Sequence, residues 1–251
     1  MKKYFPTMTE SPDGHTLAGS IPYWFFAFFM IPALMSLSTI DSRGQSYEIW
    51  LEIGYHVCNF VAVLLFFFRY LKDSFLILQV STKEILLTAG ICAAVICVLK
   101  LAMFVLSQMT QNILFTNAAF GSLLTTEADL LFFSTAVIGE QPIWGTLCTV
   151  FLVPVTTTCL LYASVFAPIC EHRPWLAYLV MTVLLLVKHL IMVFCLWSLE
   201  EEMTIFLITL PVHLVACWAY EKTDAIWTPI LIHVFSNAAM ALLTMVYMGI
   251  I

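Results

Sequence analysis

Apolar runs of about twenty residues recur along the chain with short polar interruptions between them. That pattern predicts an all-α polytopic membrane protein, since one helical crossing takes about 20 residues. The runs fall at 21–38, 49–68, 85–107, 143–166, 175–197, 203–220 and 226–248. Seven spans is the reading this gives, with eight as the alternative. Between the second and third runs, Arg69, Lys72, Asp73, Lys83 and Glu84 surround the apolar stretch FLILQV, a mixture expected for a loop with a surface-lying piece. Residues 108–126 are uncharged but interrupted by Asn112, Asn117 and Gly121. Glu127 and Asp129 then precede LLFFSTAVIG, too short to cross alone. The region 108–142 is therefore expected to be a re-entrant or interfacial excursion, or one additional span. Three parts follow: a tail over 1–20, an N-terminal membrane region over 21–142, and a helical core over 143–251.

Composition supports this class. Hydrophobic residues make up 62% of the chain and charged residues 10%, against roughly 45–50% apolar in soluble domains. No basic cluster suggests nucleic acid. The eight cysteines include no CxxC pair and lie mostly within apolar runs, where a thiol behaves as a small hydrophobe. The first twenty residues lack the order of a removable signal peptide. With the N-terminus cytoplasmic, Lys2, Lys3, Arg69, Lys72, Lys83, Arg173 and Lys222 lie on the inner side and only Arg43 on the outer, while Lys100 and Lys188 lie within spans. This asymmetry favours seven spans in a cell membrane, and an eighth would place Arg173 and Lys222 outside. The acidic run Glu200, Glu201, Glu202 then reads as a solvated outer loop.

Polar side chains inside the later spans are the candidates for chemistry. They are Thr156, Thr157, Thr158 and Tyr162; Lys188 and His189; His213; and His233, Ser236 and Asn237. His233 and Asn237, four residues apart in TPILIHVFSNAAM, share one helix face and could touch one ligand, ion or water. Packing against a neighbouring helix through hydrogen bonds accounts for the pair equally well. Two histidines and an amide on neighbouring helices suit a metal ion or an activated water, chemistry that also wants a carboxylate. None lies in the last four spans. Glu52, four residues before His56 in the second span, is the best substitute acid. Glu140 and Glu171 sit in expected loops, and His213 reads as a helix-packing histidine.

The segment from about 150 to 240 resembles the core of the CPBP family of intramembrane proteases, the group of type II CAAX prenyl endopeptidases and bacteriocin-immunity or Abi-type proteins. Its three motifs are EExxxR, FxxxH and HxxxN. The third fits His233 to Asn237. The second fits Leu185 to His189, with leucine for phenylalanine. At the first, after Val153-Pro154-Val155, the chain has Thr157, Thr158 and Tyr162 where the family has two glutamates and an arginine. The resemblance implies a helical core in which His189, His233 and Asn237 orient water or hold a divalent metal such as zinc at His189 and His233. It also implies that the first glutamate activates the water. A threonine hydroxyl is no proton acceptor near neutral pH, so the expected function is a catalytically impaired homologue acting through partner or peptide binding. The alternatives are an active endopeptidase of prenylated or membrane peptides that uses another acid such as Glu52, and an immunity or transporter-like role. Expected partners are membrane lipid, a membrane or prenylated peptide, or a protein.

Overall fold

A computed structural model describes residues 45–110, 142–194 and 199–247, and all regular structure in them is helical. The expected first span, and residues 111–141 of the excursion expected over 108–142, lie outside the described residues. Helix α1 is Gln45–Val80 and α2 is Thr82–Thr110. One long span follows in five pieces: α3 Pro142–Leu147, a π-helical turn Cys148–Leu152, α4 Val153–Thr158, a second π-helical segment Cys159–Phe166, and α5 Ala167–Cys170. Helices α6 Pro174–Phe194, α7 Leu199–Thr223 and α8 Trp227–Tyr247 complete the bundle. Among the described residues three helical stretches are long and apolar enough to cross a membrane: Thr82–Ala102, Ile143–Cys170 and Pro174–Ile191. A shorter apolar stretch covers Trp227–Leu243. The chain is an integral membrane protein with several such helices.

Each helix buries one stripe and turns the rest outward. In α8 the buried positions include Thr228, Ile230, Ile232, His233, Ser236, Asn237, Met240 and Ala241, while Phe235, Leu242 and Leu243 are exposed. In α6 they are Ala177, Met181, Leu185, Lys188 and His189, opposite exposed Trp175, Leu179 and Val183. This i, i+3, i+4 spacing is what a lipid-bathed helix with one protein-facing side requires, with apolar residues on both faces and polar ones only on the inner. The span from Pro142 to Cys170 differs. Leu160, Leu161, Tyr162, Ala163 and Phe166 are all essentially inaccessible, and α1, α6 and α8 pack around it. It is the central helix of the bundle.

Residues 69–80 are helix, against the expected loop. Tyr70, Leu71, Ser74 and Ile77 are buried, whereas Arg69, Lys72, Asp73 and Gln79 are exposed. The mixture of charged and apolar residues is thus an amphipathic continuation of α1, whose 36 residues extend about 54 Å at 1.5 Å per residue. That exceeds the ~30 Å hydrocarbon thickness. The chain turns into α2 at Ser81 alone, with Ser81 N–H donating to Ile77 O at 2.9 Å and Ile85 N–H to Ser81 O at 3.0 Å. A second expectation also changes. Glu200, Glu201 and Glu202 open helix α7 instead of forming a loop, a place where the helix dipole favours acidic side chains.

Contacts between helix ends fix how the elements run. Phe75 meets Trp227 edge-on at 5.9 Å, Phe166 meets Tyr178 at 5.2 Å and Tyr220 at 5.8 Å, and the Tyr178 hydroxyl donates to Glu221 at 2.7 Å. The C-terminal ends of α1, α5 and α7 and the N-terminal ends of α2, α6 and α8 therefore gather at one end of the bundle. Between α7 and α8 the corner is held by a buried pair, Thr223 Oγ1 and Thr228 Oγ1, 2.6 Å apart. Asp224, beside it, takes a left-handed backbone conformation at φ 50°, which asparagine and aspartate tolerate better than most residues.

Candidate functional site

The central helix brings Tyr162 to the middle of a buried polar layer. Its hydroxyl lies 2.7 Å from His213 Nδ1 on α7 and 3.4 Å from His233 Nε2 on α8. The two imidazole rings are 5.7 Å apart between centroids. All three side chains have zero accessible surface. A phenol has one proton to give and lone pairs to receive, so it can donate to one imidazole and accept from the other. The shorter distance suits donation to His213 Nδ1, and the longer one an N–H of His233 pointing back at the phenol oxygen. Phe166, one turn on, closes over the tyrosine ring at 6.4 Å.

Thr157 and Thr158, one turn before Tyr162, are completely buried, and their hydroxyls make no hydrogen bond among the described residues. Thr156 behaves differently, donating back to Leu152 O at 2.8 Å, the usual way a threonine hides its hydroxyl in an apolar helix. Asn237 reaches the central helix higher up, where its Nδ2 donates to the carbonyl of Thr149 at 3.1 Å. Ser236 donates to the carbonyl of His233 at 3.2 Å.

The structure brings His233 together with Tyr162 and His213. His233 and Asn237 lie on one buried face of α8, as their spacing requires. His189 is fully buried on α6, but its ring meets Phe206 of α7 at 5.8 Å, edge to face. The rings that surround His233 belong to Tyr162 and His213. His213 carries no motif around it, and only the packing of α7 against the central helix reveals it as a member of this layer. Glu52 belongs to α1, which packs against α4, but its side chain lies outside what the structure describes. His56, one turn on, is buried. Glu140 lies outside the described residues, and Glu171 is exposed in the turn after α5.

The donor set does not fit the metal that the family resemblance suggests. Among the described residues no three histidine, cysteine, aspartate or glutamate side chains are grouped to hold an ion. No carboxylate lies in the membrane stretches that carry His189 and His233.

Comparison with curated proteins gave no match, and comparison with solved structures gave none. The sequence model of one family does match. Residues 139–239, the part of the chain that builds the central helix, α6, α7 and most of α8, match the family described as Rce1-like, type II CAAX prenyl endopeptidase Rce1-like.

Proposed function

We propose that this chain is a CPBP-like multi-pass membrane protein that does not hydrolyse peptides and works by holding a membrane peptide or a protein partner. The observation that carries this reading is the position of Tyr162. Where the family pattern has an arginine behind two glutamates, a neutral phenol is wedged between His213 and His233 at 2.7 and 3.4 Å. The imidazole that would orient a water is engaged by a side chain of the protein itself. The two positions that would supply the base carry hydroxyls, which do not accept a proton near neutral pH.

A seven-span arrangement with a cytoplasmic N-terminus accompanies the proposal. It is supported by the gathering of the chain ends near Arg69, Lys72, Lys83, Arg173 and Lys222 at one end of the bundle, the side that basic residues mark as inner. Helix α2 leaves that end and the central helix returns to it, so the last turn of α2 and the first turn of the central helix lie at the opposite end.

A second reading has one observation in its favour. Helix α1, which carries Glu52, packs against α4, the piece that carries Thr157 and Thr158, and an acid from α1 would make the protein an unusual endopeptidase. The two are separated by incubating purified protein in lipid nanodiscs with prenylated and transmembrane peptides and reading products by mass spectrometry. The proposal expects no cleavage by a folded sample. Cleavage abolished by His233→Ala and by Glu52→Gln would overturn it in favour of the second reading.

A further inference from the structure

Asn237 is the residue that family resemblance ties to chemistry, yet its amide is used on the backbone of the central helix. Val153 N–H donates to the carbonyl of Cys148, five residues back, so that Cys148–Leu152 forms a π-turn. The next donor in that series belongs to residue 154, and Pro154 has no N–H to give. The carbonyl of Thr149 therefore loses the partner that a continued π-helix would supply, in a segment where Thr149 is wholly buried. A buried carbonyl without a donor is costly, and more so with lipid around the bundle. Asn237 Nδ2 supplies the missing donor at 3.1 Å. The hydroxyl of Thr149 is occupied separately, donating to Gly145 O at 2.8 Å.

We infer that Asn237 is a positioning residue that locks the helical register of the central span, and through it the placement of Tyr162. A π-turn is an α-helix with one residue inserted. Removing the insertion rotates everything after it by about 100°, the angular step of one residue at 3.6 per turn. With the turn in place, Tyr162 points at His213 and His233. With that turn removed and the second π-helical segment, Cys159–Phe166, unchanged, the same side chain swings off both. Proline 154 makes the turn possible by withdrawing a competing donor, and Asn237 makes it tolerable by replacing that donor from another helix. This assignment rests on the backbone pattern around Pro154 and on the Asn237 contact to it, and holds whether or not the protein cleaves peptides.

The test is a pair of substitutions in the full-length protein in detergent micelles. Asn237→Ala lowers the melting temperature and changes the hydrogen-bonding state of Tyr162, read as a change in the tyrosine ring bands of the ultraviolet resonance Raman spectrum that is absent when Tyr162 is already phenylalanine. Pro154→Ala returns an N–H to the helix, so in that background Asn237→Ala costs less than half the melting shift it causes alone. Asn237→Asp, which matches the shape but offers only acceptors, behaves like alanine. Equal shifts in both backgrounds, or an unchanged Tyr162 signal in Asn237→Ala, overturn the inference. If Asn237→Ala alone yields no folded protein, recovery of folded protein in the Pro154→Ala double variant supports it, and continued failure overturns it.

Discussion

Removing one oxygen tests the buried layer most directly. In Tyr162→Phe the ring and its contact with Phe166 at 6.4 Å remain, so the change isolates the hydroxyl. What is lost is a 2.7 Å bond to His213 and a longer one to His233, all three groups having no accessible surface. A typical intramolecular hydrogen bond contributes about 1 kcal/mol net, and a buried partner left unsatisfied adds its own desolvation cost of about 1–3 kcal/mol. The expected loss is therefore about 2 kcal/mol, roughly a thirtyfold shift toward the unfolded side. Tyr178→Phe provides the control. Its hydroxyl also makes a 2.7 Å bond, to Glu221, but that carboxylate is exposed and water replaces the lost contact, so the loss is much smaller. The assay is denaturant or thermal unfolding of the full chain in micelles, followed by tryptophan fluorescence. If Tyr162→Phe is no more destabilised than Tyr178→Phe, the layer is not the strong point that its burial and geometry imply.

Three further outcomes follow from the same geometry. In double-mutant cycles, Tyr162→Phe with His213→Ala is non-additive by about 1 kcal/mol or more, as expected for groups in contact. Thr223→Val leaves its buried partner Thr228 without the 2.6 Å contact and costs about 1–3 kcal/mol, while Thr223→Val with Thr228→Val removes both polar groups and comes back toward the parent, as unfolding curves will show. Tyr162→Arg alone strands a cation in the bundle and costs about 3–5 kcal/mol, whereas adding Thr157→Glu and Thr158→Glu recovers most of that; equal melting temperatures for the single and triple variants would contradict the pairing.

Helical periodicity was readable wherever one face meets protein and the other lipid, and α2, α6 and α8 lie within a few residues of the runs that announced them. The stretch 69–80 was misread because its charges and apolar residues, interleaved along the chain, separate onto two faces only when wound into a helix. The acidic run at 200–202 was misread for a related reason, since charge signals a loop in a membrane sequence unless the residues sit at a helix start. The π-turns left no hydrophobic signature, because one inserted residue shifts a stripe without erasing it. Pro154, beside the first of them, reads in the sequence only as part of the lead into the first motif. His233 and Asn237 were found by spacing. Their partners His213 and Thr149 were not, because they come from other helices and no local pattern records which helix will lie beside α8.

The charged set of the family pattern holds together only as a unit. An arginine at 162 needs carboxylates one turn away, and glutamates at 157 and 158 need that cation, since isolated charges in a lipid-bathed bundle are costly. Losing one member strands the others. A tyrosine escapes this constraint because a phenol is neutral and needs only acceptors and donors within reach, which His213 and His233 provide at 2.7 and 3.4 Å. With Tyr162 in place, threonines at 157 and 158 carry no charge to neutralise. His233 then has a structural task that does not depend on water or metal, and Asn237 has another in holding the carbonyl of Thr149. Packing alone accounts for a histidine and an asparagine at this spacing. Their presence supports the fold, and the case for hydrolysis has to rest on an acid brought beside them.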